Sequence, residues 1–162
     1  MRPHLEAPPQ EGPGGATEPL RYKRPFDLLV LAGAHLFPLL LPVWVLLWLL
    51  IPLAIWLDDR GPVLYRQRRY GRNGREFTFL KFRTMATGAE AAGLMTQDDD
   101  PRVTRVGKFL RRTALDELPQ LINILRGDMS FVGPRALPTG MHDEATEEEP
   151  RFSERLRITP GL

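Results

Sequence analysis

The stretch from Phe26 to Leu57 reads FDLLVLAGAHLFPLLLPVWVLLWLLIPLAIWL. Asp27 is its one acid and His35 its one other titratable group. A straight membrane span needs roughly 20 apolar residues, and this run is about half as long again. It starts too far into the chain and runs too long for a secretory signal core. It also carries Pro38, Pro42 and Pro52, and proline removes a backbone donor and kinks a helix. Arg21, Lys23 and Arg24 precede the run, and Arg60, Arg66, Arg68 and Arg69 follow it. Basic residues beside membrane segments stay cytoplasmic, so both ends want the same side. A helix that enters the membrane, bends at proline and leaves again satisfies both flanks and uses the extra length. A single tilted span would put one basic cluster outside. A buried helix of a soluble core fits poorly with three Trp and so many Leu in one run. Pro42 and Pro38 lie nearest the middle and are the candidates for the bend, Pro42 before Pro38.

Upstream, residues 1–20 are rich in Pro and Gly, poor in apolar side chains, and expected to be a disordered tail. The 162 residues suffice for one domain with a modest core. Lys and Arg number 22 against 20 Asp and Glu, but the charge is unevenly placed. Acids crowd 143–149, and bases crowd 60–83 and 102–112. Local basic fields point to an anionic partner: lipid headgroups, phosphates or nucleic acid. The absence of cysteine excludes disulfides and thiolate metal sites.

Downstream, Gly61-Pro62 signals a turn. Residues 63–67 and 77–82 read as strands, paired through the Asn73-Gly74 turn signal. Phe77, Phe79 and Lys81 share one strand face, and Thr78, Leu80 and Phe82 the other. Residues 86–93 read as loop or short helix. The acids of Gln97-Asp98-Asp99-Asp100-Pro101 lack the spacing and closing Glu of a calcium loop and are expected to be solvated. Residues 106–112 mix Val106, Phe109 and Leu110 with Lys108, Arg111 and Arg112, which suits a helix lying on headgroups. A soluble amphipathic helix would have the same pattern. Leu118, Leu121, Ile122 and Leu125 follow one helix face, with Gly127 as its stop.

Asp116 and Glu117 stand at the start of that last helix. In isolation such a pair caps orphan N–H groups and favours the helix dipole. The surroundings add cations: Lys81 and Arg83 at a strand end, Arg111 and Arg112, Arg126, and Arg135 after Gly133-Pro134. Those cations would also hold a diphosphate. A carboxylate beside a bound diphosphate can attack phosphorus to form an acyl phosphate. A second carboxylate, together with diphosphate oxygens, can hold a magnesium ion.

These residues bring a resemblance with them. Lys23-Arg24-Pro25-Phe26-Asp27, Gly61 to Gly71 (GPVLYRQRRYG), Lys81-Phe82-Arg83-Thr84-Met85, Asp100 to Gly107 (DPRVTRVG), Leu110 to Leu121 (LRRTALDELPQL) and Gly127 to Arg135 (GDMSFVGPR) occur in that order. Together they resemble the bacterial sugar transferases, the monotopic polyprenyl-phosphate phosphoglycosyl transferases. The resemblance implies a membrane-associated α/β fold: a re-entrant helical hairpin over 21–59, then a small α/β catalytic domain over 60–162 with a short sheet and interfacial amphipathic helices. It implies a bacterial inner-membrane enzyme at the cytoplasmic face, working at the first membrane step of glycoconjugate or exopolysaccharide assembly. Its substrates would be a UDP-sugar and a polyprenyl phosphate such as undecaprenyl phosphate. Asp116 would be the nucleophile, forming a covalent phosphosugar and releasing UMP. Glu117 would be its partner, the two acids forming the Mg2+ site, and Lys81, Arg83, Arg112 and Arg135 would serve the phosphates. Two departures stand out. Ala136 occupies a position where the family usually has proline. The chain reaches Leu162 without the Gly- and Gln-containing segment that follows in the family, so the catalytic domain is expected to be truncated. The sugar, the polyprenol and the oligomeric state, a homodimer among the options, are not fixed by sequence.

Two rival readings come from other classes. A non-catalytic membrane anchor related to the family would keep the hairpin and basic surface without using Asp116 and Glu117. A nucleic-acid binder would use Tyr65, Tyr70, Phe77 and Phe79 as stacking platforms among the arginines; the apolar run argues against it.

Overall fold

The computed structural model describes residues 22–36, 41–89 and 100–162. The expected tail at 1–20, Pro38, Asp98 and Asp99 lie outside these residues. Two helices begin the chain, α1 (Lys23–Leu36) and α2 (Leu41–Asp59). Pro42 falls in the first turn of α2, where a missing N–H costs nothing, and α2 continues through Pro52. The indole of Trp44 donates to the Ala34 carbonyl at 2.7 Å and stacks on His35 with centroids 4.4 Å apart. In one straight helix residues 34 and 44 would be about 15 Å apart, so α1 and α2 fold against each other here.

α2 is 19 residues long with mean hydropathy 2.0, and only 11% of that window is buried. Most of its surface is therefore left uncovered by the other described residues. Ile51 and Ile55, one turn apart, are its buried residues, while Leu46, Leu49, Leu50, Leu53 and Leu57 are exposed.

The outer ends of both helices dock on a small mixed α/β region. At the start of α1, Lys23 donates to the Val132 carbonyl at 2.8 Å. Arg24 donates to the carbonyls of Ile124 and Leu125, both at 2.5 Å. These are carbonyls at the end of a helix, where a cation is favoured. Buried Asp27 accepts from Ser130 Oγ at 3.0 Å and from the Phe131 N–H at 2.9 Å. At the end of α2, Asp58 accepts from the Val106 N–H at 3.2 Å. Asp59 accepts from the Thr87 N–H at 2.8 Å and from its hydroxyl at 2.9 Å.

The sheet is one antiparallel pair, β1 (Leu64–Tyr70) and β2 (Glu76–Phe82), in register from Leu64 opposite Phe82 to Tyr70 opposite Glu76. The first strand runs further than the sequence suggested. Asn73 and Gly74 at the turn have φ of 57° and 71°, the left-handed region that Asn and Gly tolerate best. The expected alternation sets up two cores. Phe77 and Phe79 pack with Leu31 of α1 and with Ile124, Met129 and Ala136. Phe82 packs with Ile51 and Ile55 of α2 and with Leu110. Burial of Phe77 and Phe79 removes them as base-stacking platforms.

α3 (Arg105–Arg112) is capped by Thr104, whose side chain accepts from the Gly107 N–H at 3.0 Å. Leu110 is buried and Phe109 is 60% exposed beside the basic residues. Gly107 lies so close to the Thr84 backbone that a Cβ would overlap the Thr84 carbonyl. Gly107→Ala is therefore expected to cost about 1–3 kcal/mol through overpacking, read as a lower midpoint in thermal or urea unfolding.

α4 (Gln120–Arg126) ends at Gly127, with φ 87°, as its sequence announces. Its buried face differs from the predicted stripe. Gln120, Asn123 and Ile124 are buried, while Leu125 is 58% exposed. The polar Asn123 is inside because β2 has an open edge: Asn123 accepts from the Leu80 N–H at 3.1 Å and donates to the Thr78 carbonyl at 2.8 Å. Buried backbone groups must be paired, and this side chain replaces a third strand. Asp100 also departs from expectation. It is buried and paired with Arg102 at 2.6 Å, whose hydrogen bonds hold its carboxyl down at about 2.

β3 (Ser130–Arg135) crosses the segment 159–162, with the Ser130 N–H on the Pro160 carbonyl at 2.8 Å and the Leu162 N–H on the Ser130 carbonyl at 3.0 Å. Gly133 and Gly161 meet backbone to backbone, with no room for a Cβ on either. α5 (Thr139–Glu148) follows, its buried His142 set edge-on against Tyr70 of β1. Burial pushes the His142 imidazole below its usual range despite Asp143 beside it.

Candidate active site

Antiparallel register puts Tyr65 opposite Lys81, and the two-residue period puts Tyr65, Gln67, Arg69 and Lys81 on one face. That face floors a cleft of about 540 Å³. Its walls are the 83–89 segment, Arg111 of α3, Arg135 at the end of β3 with residues 136–138 after it, and Met141 of α5. The lining is apolar at Pro62, Met85, Leu137 and Pro138, and cationic at Arg69, Lys81, Arg83, Arg111 and Arg135.

Each cation is fixed differently. The Arg69 guanidinium lies 3.5 Å over the Phe79 ring and donates to the Ala136 carbonyl at 2.7 Å and to Gln67 Oε1. Burial, with Arg135 nearby, lowers it to about 10, so it remains a cation at neutral pH. Ala136 is buried in the core against Phe79. Arg111 donates to Thr84 Oγ1 at 2.9 Å. Arg83 donates to Thr87 Oγ1 at 2.5 Å and pairs with Asp59 at 3.3 Å. Arg135 is carried by the end of β3, where its carbonyl accepts from Arg155.

Asp116 and Glu117 sit in a single 3-10 turn, Leu115–Glu117, entered through Ala114 at φ 54°. A left-handed non-glycine residue costs about 1–3 kcal/mol and persists only where the surroundings impose it. The turn precedes α4 rather than opening it. Pro119 is the N-cap of α4 and no side chain caps it, so the capping role that isolated acids would have is not what Asp116 performs. Its side chain, 5% exposed, instead takes an ion pair from Lys81 Nζ at 2.6 Å. Glu117 meets Arg135 at 3.5 Å.

Four residues singled out by sequence thus form two ion pairs, Lys81 with Asp116 and Arg135 with Glu117. Lys81 and Arg135 line the cleft, and the two acids join it through them. Arg83 lines it as well. Arg112 is exposed and outside the lining, and its neighbour Arg111 stands there instead. Sequence reasoning did not assign Gln67 to the site and read Arg69 only as a basic flank of the apolar run; the signal was the alternation Tyr65-Gln67-Arg69 on a strand facing Lys81.

Among the described residues no three acids or histidines converge as a metal cage. Magnesium seldom uses such a cage; it takes one or two carboxylates and completes its shell with phosphates and water. Asp116 and Glu117 supply that number, and the Glu117 contact to Arg135, at 3.5 Å, is longer than the 2.6 Å pair at Asp116.

The chain matches the family described as bacterial sugar transferase over residues 19–162. It is 45% identical over 141 residues to a UDP-glucose:undecaprenyl-phosphate glucose-1-phosphate transferase of Caulobacter vibrioides, covering 86% of this chain and 51% of that protein. It is 46% identical over 151 residues to an undecaprenyl-phosphate glucose phosphotransferase of Komagataeibacter xylinus, covering 86% of this chain and 26% of that protein. A putative undecaprenyl-phosphate N-acetylgalactosaminyl 1-phosphate transferase of Bacillus subtilis is 46% identical over 105 residues, covering 64% of this chain and 59% of that protein. The chain therefore spans about half or less of the first two relatives. With a family match that takes in the apolar helices, the cationic cleft and the Asp116-Glu117 turn alike, the chain belongs to the bacterial sugar transferase family.

Proposed function

We propose that this chain transfers a sugar phosphate from a UDP-sugar to a polyprenyl phosphate at the cytoplasmic face of a bacterial membrane, opening glycoconjugate or exopolysaccharide assembly. The observation that carries the reading is a carboxylate buried against a lysine on the floor of a cationic cleft, beside the end of an exposed apolar helix. The Asp116 carboxylate attacks the β-phosphorus of the UDP-sugar. The bond from that phosphorus to the bridging oxygen breaks, and UMP leaves with the electron pair. An oxygen of the polyprenyl phosphate then attacks the same phosphorus, the acyl phosphate bond breaks, and Asp116 returns as the carboxylate. Lys81 orients Asp116 and, with Arg69, Arg111 and Arg135, holds the phosphate oxygens. Most of the acceleration comes from positioning and charge neutralisation. Mg2+ bound at Asp116 and Glu117 would neutralise charge on the diphosphate oxygens.

The test is intact-mass detection of a phosphosugar adduct, with UMP release, on incubation with a panel of UDP-sugars and magnesium. Excess chelator is expected to abolish UMP release, and magnesium or manganese to restore it. The non-catalytic anchor reading predicts neither adduct nor UMP.

The same proposal makes α1 and α2 a re-entrant hairpin in the cytoplasmic leaflet, with the bend near Pro38 and Pro42. Support comes from the docking of Lys23, Arg24, Asp58 and Asp59 on one α/β region. Cysteines introduced near Arg24 and near Asp59 are expected to label from the same side of sealed vesicles; labelling from opposite sides would remove the hairpin.

A further inference from the structure

Arg83 is a cleft cation tied to the end of α2. Its side chain is 9% exposed, and Nη1 is engaged by Asp59, the last residue of α2, and by Thr87. Gly61 makes this arrangement fit, because a Cβ there would overlap Nη1 and the Thr87 hydroxyl. The other edge of the guanidinium, Nε with Nη2, is buried and has no hydrogen-bond partner among the described residues. Buried donors on a charged group are costly to leave unmade. That edge is also the two-pronged fork that matches two oxygens of one phosphate. Asp59 offsets the guanidinium charge.

The cleft thus has two differently built cationic positions. One is formed by Lys81 and Arg135, which hold Asp116 and Glu117. The other is Arg83, joined through Asp59 to the apolar helix. A nucleotide sugar arrives from water, whereas a lipid phosphate arrives with its chain in the membrane. We propose that the Nε/Nη2 edge of Arg83 takes the phosphate monoester of the lipid acceptor, with Asp59 and Thr87 as positioning residues. The diphosphate of the nucleotide sugar lies at the Lys81–Arg135 position. This assignment rests on the transfer reaction proposed above.

The experiment separates the half-reactions in the full chain in detergent micelles. Adduct formation is titrated with UDP-sugar in the absence of acceptor. Adduct-loaded protein is then chased with undecaprenyl phosphate. The variants are Arg83→Gln, Arg83→Lys and Gly61→Ala, the last displacing the guanidinium while keeping its charge. The expected result is that the acceptor concentration for half-maximal transfer rises at least about tenfold more than the UDP-sugar concentration for half-maximal adduct, the scale of one or two lost charge-assisted hydrogen bonds. Arg83→Lys, a point charge without the fork, should not rescue acceptor use. If Arg83→Gln does not fold, Gly61→Ala alone decides. Parallel loss in both titrations would assign Arg83 to the nucleotide sugar and overturn the proposal, as would acceptor use unaltered by all three changes. If the unaltered chain forms no adduct with any UDP-sugar, the transfer reaction itself fails and this assignment falls with it.

Discussion

Asp116→Asn should give a folded protein that forms no phosphosugar adduct and loses turnover by roughly 10⁴-fold or more, the scale seen when a covalent nucleophile is removed. The amide keeps the shape of the side chain but cannot form the acyl phosphate. Loss of a helix cap cannot explain such a result, because α4 has no side-chain cap. Nor should the fold collapse. The partner left behind, Lys81, keeps 21% of its side chain exposed and can turn its ammonium toward the cleft. Glu117→Gln should behave differently, weakening magnesium dependence and slowing both half-reactions while leaving a trace of adduct. Intact mass after incubation with UDP-sugar, alongside a urea unfolding curve, separates these outcomes. An adduct that still accumulates on Asp116→Asn would give the covalent role to another residue.

The largest expected effect on stability comes from the other half of the same pair. Lys81→Met leaves the Asp116 carboxylate, 5% exposed, with no ion-pair partner among the described residues. Breaking a buried pair from one side costs about 3–5 kcal/mol, because the remaining charge has lost its water without compensation. The double variant Lys81→Met with Asp116→Asn removes both charges and should recover most of that loss. The four unfolding free energies form a double-mutant cycle. A Lys81→Met chain as stable as the parent would mean that the 2.6 Å pair contributes nothing to the fold. Activity should fall in both single variants, but for different reasons, one losing the nucleophile and the other its orientation.

The local pattern of the chain determined a good deal by itself. Hydropathy marked the apolar run, and alternation with the Asn73-Gly74 turn marked the strand pair. Gly127 marked the end of α4, and the ordered motifs marked the family. All of these depend on near neighbours along the chain, which periodicity and turn chemistry report directly. Tertiary structure decided which polar groups meet. Asn123 lies inside, against the predicted stripe, because β2 has an open edge with unpaired backbone groups. Asp100 is buried on Arg102 instead of solvated. Arg111 faces the cleft and Arg112 does not, since a one-residue step along a helix rotates a side chain by about 100°. Lys81 finds Asp116, and Asp59 finds Arg83, across long stretches of chain. A charge in a sequence carries no address: its partner is fixed only when the two apolar clusters, each holding one of the N-terminal helices, bring strand, turn and helix ends together.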